Sequence, residues 1–162
     1  MGLETVHPGV LARLNKGMTL DDFKKAAEQL VSAGVALRAF VLAGLPFLRD
    51  EEAHDWAVRS IAFAFDCGAE VVAVIPTRPG NGALDALAAR GQFDPPLLSA
   101  LETAVTAGLE SGRGRVLADL WDLERFSSCS DCFPVRRERL NAMNLAQRVL
   151  PKVACVRCGG QA

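Results

Sequence analysis

The chain has 162 residues, half of them apolar and 23% charged, with a formal net charge of −1 at pH 7. This composition excludes a disordered chain, and the length suits one domain with a hydrophobic core plus a small appended module. The apolar runs are too short to span a bilayer, and no secretory signal pattern is present, so we expect a cytoplasmic protein without membrane contact.

Apolar periodicity and Gly/Pro breaks predict helices and strands in alternation, which is typical of an α/β fold built on a parallel sheet. In chain order, the expected elements are a helix over His7–Leu14, a helix capped by Thr19 and ended by Gly34, a strand over Val35–Leu42, a helix over Asp50–Cys67, a strand over Glu70–Ile75, helices over Ala83–Arg90 and Pro96–Ala107, a strand over Arg115–Leu120 and a helix over Pro134–Val149.

One charge interrupts the first of these strands. Arg38 lies within an otherwise apolar segment, and a cation buried there would need a partner. The candidates are a carboxylate of a bound cofactor or substrate and a buried acid such as Glu70.

Four of the five cysteines form two C-x-x-C pairs, Cys129 with Cys132 and Cys155 with Cys158. Two intervening residues allow both thiolates of a pair to face one ion, and two pairs supply the tetrahedral sulfur set that suits zinc. An iron–sulfur cluster is the alternative metal group, because four thiolates also bind iron. Unpaired thiols or disulfides are the alternative without metal. Cys67 lies apart and is expected to be a small buried side chain.

Charge divides unevenly along the chain. Residues 126–162 carry six Lys/Arg against two acidic residues, about +4, whereas residues 1–125 carry 12 against 17, about −5. We therefore expect a main domain over 1–125 and a metal-binding module over 126–162. The basic residues of the last helix are candidates for contacting RNA, or form a solvated face opposite Leu140 and Met143. These residues are Arg136, Arg137, Arg139 and Arg148.

Residues 1 to about 110 also resemble a known family. The Gly-Leu-Glu-Thr stretch at Gly2–Thr5 and the Leu-Asn-Lys-Gly-Met-Thr stretch at Leu14–Thr19 look like the fourth-strand region of radical S-adenosylmethionine enzymes. Ala26–Pro46 and Val71–Leu84 are similar to later strand units of the branch that contains the elongator catalytic subunit, the methylthiotransferases and oxygen-independent coproporphyrinogen oxidase. Uncharacterised relatives of the β subunit of archaeosine synthase are similar in two stretches, Leu-Asn-Lys-Gly-Met-Thr at Leu14–Thr19 and Ile-Pro-Thr-Arg-x-Gly-Asn-Gly at Ile75–Gly82.

This resemblance implies the C-terminal half of a partial (β/α)6 barrel, with an unpaired sheet edge along Val35–Leu42 or Val71–Ile75. Such enzymes cleave S-adenosylmethionine with a [4Fe–4S] cluster held by C-x-x-x-C-x-x-C, a motif that this sequence lacks. A missing N-terminal half or a separate subunit would carry that cluster, so we expect this chain alone to be inactive. RNA modification, with tRNA as a possible partner, is the preferred activity. The rival hypothesis is a non-enzymatic zinc-ribbon adaptor that binds nucleic acid or a protein.

The resemblance assigns cofactor contacts by position. Glu4 would contact the ribose of S-adenosylmethionine, and Lys16 would bind its carboxylate where an arginine is usual. Arg38 is a further candidate for a carboxylate contact. Three more candidates sit at the end of a predicted strand, where α/β folds place their sites. They are Thr77, Arg78 and Asn81. The alternative is a surface role for Glu4 and Lys16, and a structural role in the loop for the last three.

Overall fold

The computed structural model describes residues 1–80 and 82–159, without the side chains of Asp50 and Glu51. It contains one four-stranded sheet, order β1-β2-β3-β4, in which every neighbouring pair is parallel. The elements are β1 (Gly2–Glu4), α1 (Pro8–Arg13), α2 (Leu20–Ser32), β2 (Arg38–Ala43), α3 (Asp50–Asp66), β3 (Val71–Pro76), α4 (Ala83–Ala88), α5 (Leu98–Glu110), β4 (Arg115–Ala118), a 3₁₀ helix (Leu123–Phe126) and α6 (Phe133–Ala146).

Helix α2 illustrates how local sequence sets the bounds of an element. The Thr19 hydroxyl accepts the Asp22 N–H at 3.1 Å, and the Asp22 carboxylate accepts the Thr19 N–H at 3.0 Å. This capping box satisfies two N–H groups that the helix itself leaves without partners. Gly34, at φ +73°, takes the left-handed conformation that ends many helices. The predicted start and end are both confirmed.

Strands β2 and β3 form the centre of the sheet, with β1 beside β2 and β4 beside β3. Four parallel strands in sequential order, with helices between them, confirm the predicted α/β class. The expectation of an unpaired edge along Val35–Leu42 or Val71–Ile75 is wrong, because each of these strands has a neighbour on both sides. Among the described residues, no helix is long and apolar enough to cross a membrane.

The outer edge of β4 is covered by side-chain amides of α6. The Gln147 amide accepts the Val116 N–H at 3.0 Å and donates to the Val116 carbonyl at 3.2 Å. The Asn144 amide accepts the Ala118 N–H at 2.7 Å and donates to the Ala118 carbonyl at 2.9 Å. These amides take the place of a further strand and protect this edge from pairing with another chain.

Helix α6 also shares the hydrophobic core of the sheet. Leu140 and Met143 are fully buried and belong to the same cluster as Val72 and Val116 of the strands. Because Cys132 is the N-cap residue of α6, this helix joins the first cysteine pair to the sheet.

Candidate metal centre

The first cysteine pair lies between the 3₁₀ helix and α6. The Ser127 hydroxyl donates to the Cys129 carbonyl at 3.1 Å, and the Phe133 N–H donates to the same carbonyl at 3.3 Å. Cys132 is the N-cap residue of α6. Both thiols are buried, with Cys129 6% and Cys132 4% exposed. The turn thus keeps both sulfurs away from solvent.

The second pair lies in a tight turn after α6. The Gly159 N–H donates to the Cys155 carbonyl at 2.8 Å, and Gly159 has φ +64°. This left-handed conformation is easily reached by glycine and rarely by other residues, which accounts for a glycine directly after Cys158. An ion pair between Arg157 and Asp131, 2.9 Å from Nη1 to Oδ2, connects the two turns.

The four sulfurs converge on one point. Their Sγ atoms all lie within 4.8 Å of one another, with Cys129 3.9 Å from Cys155 and Cys132 3.6 Å from Cys158. A tetrahedral zinc ion with Zn–S bonds of about 2.3 Å requires sulfurs about 3.8 Å apart. The chain therefore brings together the four predicted ligands in an arrangement that fits a metal ion.

The electrostatics of the cluster favour a cation at its centre. Burial, together with the neighbouring thiols of Cys158 and Cys129, raises the pKa of the Cys132 thiol to about 12 from its usual 9.0. Sulfurs this close disfavour one another's ionisation, because each thiolate would add negative charge to the same small volume. A bound divalent ion reverses this preference by attracting the thiolates.

Two of the arginines predicted to face RNA instead pack inside the protein. Arg136 is 1% exposed and pairs with Glu102 of α5, 2.7 Å from Nη2 to Oε2. Arg139 is 8% exposed and donates to the carbonyls of Leu150 and Pro151. The interpretation of this pair as a solvent-facing RNA surface is wrong, because both lie on the buried face of α6 together with its apolar residues.

Glu102 is not among the residues predicted from the sequence, although the spacing of buried residues in α6 indicates the need for such a partner. The buried residues of this helix, Arg136, Arg139, Leu140 and Met143, recur at the three- and four-residue spacing of one helical face. Buried arginines require an acidic partner, and Glu102 of α5, whose side chain is 16% exposed, supplies it.

Glu4 and Lys16 form an ion pair at the carboxyl end of β1, with side chains 16% and 34% exposed. Glu4 has φ +65°, and the Thr5 N–H donates to the Leu3 carbonyl at 2.8 Å across it. This tight turn holds a non-glycine residue in a sparsely populated conformation, a kind of strain that concentrates at functional sites. The two predicted cofactor contacts therefore lie together.

The candidates after β3 have local partners. The Thr77 hydroxyl is buried and donates to the Ala43 carbonyl at 3.0 Å. Arg78 pairs with Asp119, 2.8 Å from Nη2 to Oδ2, and its guanidinium lies 5.0 Å from the centre of the Trp121 ring. The Thr77 contact joins the carboxyl ends of β3 and β2, and the Arg78 contacts join those of β3 and β4. Asn81 lies outside the described residues.

Arg38 does not occupy the buried position that its apolar neighbours suggested. It is the first residue of β2 and its side chain is exposed, so the expectation of a buried charge that needs a partner is wrong. Because the strands are parallel, Arg38 lies at the amino edge of the sheet, whereas Glu4 and Thr77 lie at the carboxyl edge. The structure does not bring Arg38 together with the other candidates.

A cavity of about 450 Å³ opens at the carboxyl end of β2, a size that suits small ligands. Its walls come from the β2–α3 loop, from His54 of α3 and from the segment that leads into α5. It is separate from Glu4 and Lys16, which do not line it.

No protein-family model matches this chain, and comparison with curated proteins finds no relative.

Proposed function

We propose that this chain binds one zinc ion through Cys129, Cys132, Cys155 and Cys158. The observation that carries this proposal is the convergence of the four Sγ atoms within 4.8 Å of one another. Four protein sulfurs fill a tetrahedral coordination shell, so the ion has a structural role and no open position for a substrate.

The sulfur spacing favours a single ion over the alternative cluster. In a four-iron cluster each thiolate binds a different iron, with inorganic sulfide between the irons, so the thiolates must stand farther apart than around one ion. The distances of 3.9 and 3.6 Å between sulfurs of opposite pairs support the proposal of a single ion. Zinc is the metal proposed, because a closed set of four thiolates is its common structural environment.

The role proposed for the zinc ion is to fasten the chain's last segment to the α/β domain. Cys155 and Cys158 lie beyond the last helix, in a region whose local structure is a turn. Cys132 is the N-cap of α6, and this helix protects the β4 edge through Asn144 and its C-cap residue Gln147. Metal binding would thus hold the segment that carries Cys155 and Cys158 against α6, the helix that covers the edge of β4.

The test is metal analysis of freshly purified protein. We expect about one zinc per chain, and little or none in Cys129→Ser or Cys155→Ser variants. Cys67→Ser is the matched control, since Cys67 lies outside the cluster. Protein without zinc, with unchanged behaviour of Cys129→Ser, contradicts the proposal; iron in place of zinc contradicts the choice of metal.

A second proposal concerns the rest of the chain: we propose that it is the C-terminal part of a cytoplasmic radical S-adenosylmethionine enzyme that acts on RNA. The support is the motif order in residues 1 to about 110, together with the Glu4–Lys16 pair at the carboxyl edge of a parallel sheet. Sequential strand order is that of neighbouring strands in a β/α barrel, which agrees with a partial barrel. Glu4 would hold the ribose of the cofactor and Lys16 its carboxylate.

The cluster for such an enzyme would come from a missing N-terminal half or a separate subunit. The deciding observation is the coding sequence upstream of this chain and in neighbouring genes. A C-x-x-x-C-x-x-C segment there, whose product co-purifies with this chain, supports the enzyme. Its absence favours the rival proposal of a zinc-ribbon adaptor for nucleic acid or a protein partner.

A further inference from the structure

Arg136 is a fully buried cation with one group unaccounted for. Its Nε and Nη2 lie 3.2 and 2.7 Å from Oε2 of Glu102. Within residues 1–80 and 82–159, Nη1 is buried and has no hydrogen-bond partner. A guanidinium N–H removed from water is costly unless it finds an acceptor. Nη1 therefore needs an acceptor that Glu102 does not provide.

Cys132 is the ligand of the proposed metal centre that precedes Arg136, at the N-cap of the helix. The backbone N–H of Arg136 donates to the Cys132 carbonyl at 3.0 Å, so the two residues stand one helical turn apart. Side chains at this spacing lie on the same face of a helix. Both side chains are buried, and the positive charge of the guanidinium favours a thiolate at Cys132. The helix N-terminus at Cys132 adds a further preference for negative charge at this sulfur.

The local charges leave a positive balance beside the cluster. Oε1 of Glu102 also lies 3.6 Å from Nη1 of Arg139, so two guanidiniums share one carboxylate. Four thiolates around a divalent ion carry a net charge of about −2 in a largely buried place. The surplus positive charge of the two arginines partly balances this negative charge at Cys132.

We infer that Arg136 is a positioning residue of the metal centre, which donates an N–H···S hydrogen bond from Nη1 to the metal-bound Cys132 thiolate while Glu102 fixes the guanidinium. This inference rests on the proposed metal site. The bond draws electron density from the sulfur, which makes the thiolate less reactive and the bound ion harder to remove. Substitution of outer partners of metal ligands typically lowers metal affinity about 10- to 100-fold.

The test compares Arg136→Met with Arg139→Met. Arg139 is a buried arginine of the same helix that contacts Glu102 and backbone carbonyls. Its loss therefore controls for removal of a buried cation without removal of the N–H···S bond. We expect Arg136→Met to weaken zinc binding in a chelator competition by about 10- to 100-fold. In cobalt-substituted protein, its thiolate-to-metal charge-transfer band should move to longer wavelength, and alkylation of Cys132 should become faster.

Arg139→Met should leave the band and the alkylation rate as in the wild type. Where Arg136→Met does not fold, Arg136→Lys decides, because lysine keeps the charge but cannot hold Glu102 and Cys132 together. It should shift the band in the same direction by a smaller amount. Wild-type protein with one zinc and Arg136 variants whose bands match Arg139→Met would overturn this inference alone. Wild-type protein without metal would overturn the metal site itself.

Discussion

The side-chain amide of Asn144 pairs with both backbone groups of Ala118, accepting its N–H at 2.7 Å and donating to its carbonyl at 2.9 Å. A helix residue thereby completes the hydrogen bonding of an edge strand. Because an edge strand with unpaired backbone groups invites association with other chains, this contact bears on solubility as well as stability.

Replacing Asn144 by leucine should destabilise the protein. Leucine has a similar size but leaves the N–H and carbonyl of Ala118 without partners, and buried unpaired groups cost about 1–3 kcal/mol. Urea unfolding measures this loss, and sedimentation should reveal more association than in the wild type. Asn141→Leu is the control, because the Asn141 amide contacts Glu138 on the same helix, 3.4 Å away. Equal effects of both variants would contradict the role of the β4 edge.

The elements themselves were predictable because their signals are local. Thr19 and Gly34 mark the ends of α2 through side-chain capping and a positive φ, which depend on a few neighbouring residues. The cysteine ligands were predictable for a similar reason, since C-x-x-C spacing constrains each pair by itself.

The contacts that join distant parts of the chain were not predictable in this way. Arg136 meets Glu102, and Asn144 meets Ala118, across 34 and 26 residues. Charge counting favoured a solvent-facing basic helix, whereas tertiary packing placed the arginines on its apolar stripe. Arg38 was misjudged for the opposite reason: an apolar neighbourhood in sequence does not bury the first residue of a strand.

Removal of Glu102 should be strongly destabilising. Glu102→Ala leaves the Arg136 guanidinium buried without its carboxylate, and breaking a buried pair in this way costs about 3 kcal/mol or more. Chemical denaturation of the variant tests this expectation. The matched control is Glu52→Ala, whose ion pair with Arg49 is exposed and should matter little. A Glu102→Ala variant as stable as the control would contradict the burial of this pair.

The metal-free protein should lose stability in alkali. The folded pKa of Cys132 is about 12, raised chiefly by burial from 9.0, so the native state holds the thiol proton more tightly than the unfolded state does. This contribution is fully present below about pH 9 and is lost as the pH rises toward 12. Urea unfolding with reductant and chelator, at pH 7.5 and above 9, measures the change. A Cys132→Ser variant should show a smaller loss; an identical loss would assign the effect to other groups.

The chain alone should not cleave S-adenosylmethionine. Reductive cleavage needs the [4Fe–4S] cluster, and the C-x-x-x-C-x-x-C motif that binds it in the resembled enzymes is absent from this sequence. Incubation with S-adenosylmethionine and a strong reductant, followed by chromatography for 5′-deoxyadenosine, provides the measurement. The control is a variant with all four clustered cysteines changed to serine. More 5′-deoxyadenosine from the wild type than from this control would refute the expectation and point to a redox role of the cluster.

RNA binding, where it occurs, should depend on the exposed cations of the last segment. Arg137, Arg148 and Lys152 are exposed, whereas Arg136 and Arg139 are engaged inside the protein. Phosphate contacts release counterions, so each neutralised phosphate should add roughly one unit to the slope of log affinity against log salt. A protein rigidly held by its metal site would favour a folded RNA such as tRNA, which is recognised largely by shape.

The sharpest comparison is tRNA titration of the wild type, Arg137→Glu/Arg148→Glu and Arg59→Glu/Arg90→Glu at two salt concentrations. The Arg137→Glu/Arg148→Glu variant should bind more weakly and with a shallower salt dependence. Arg59 in α3 and Arg90 after α4 are exposed and lie outside the last segment, so their double replacement controls for the same change in net charge. Equal affinity of the Arg137→Glu/Arg148→Glu variant and the wild type, or binding without salt dependence, would remove RNA as the partner of this surface and leave the substrate of the proposed enzyme to be sought at the Glu4–Lys16 edge.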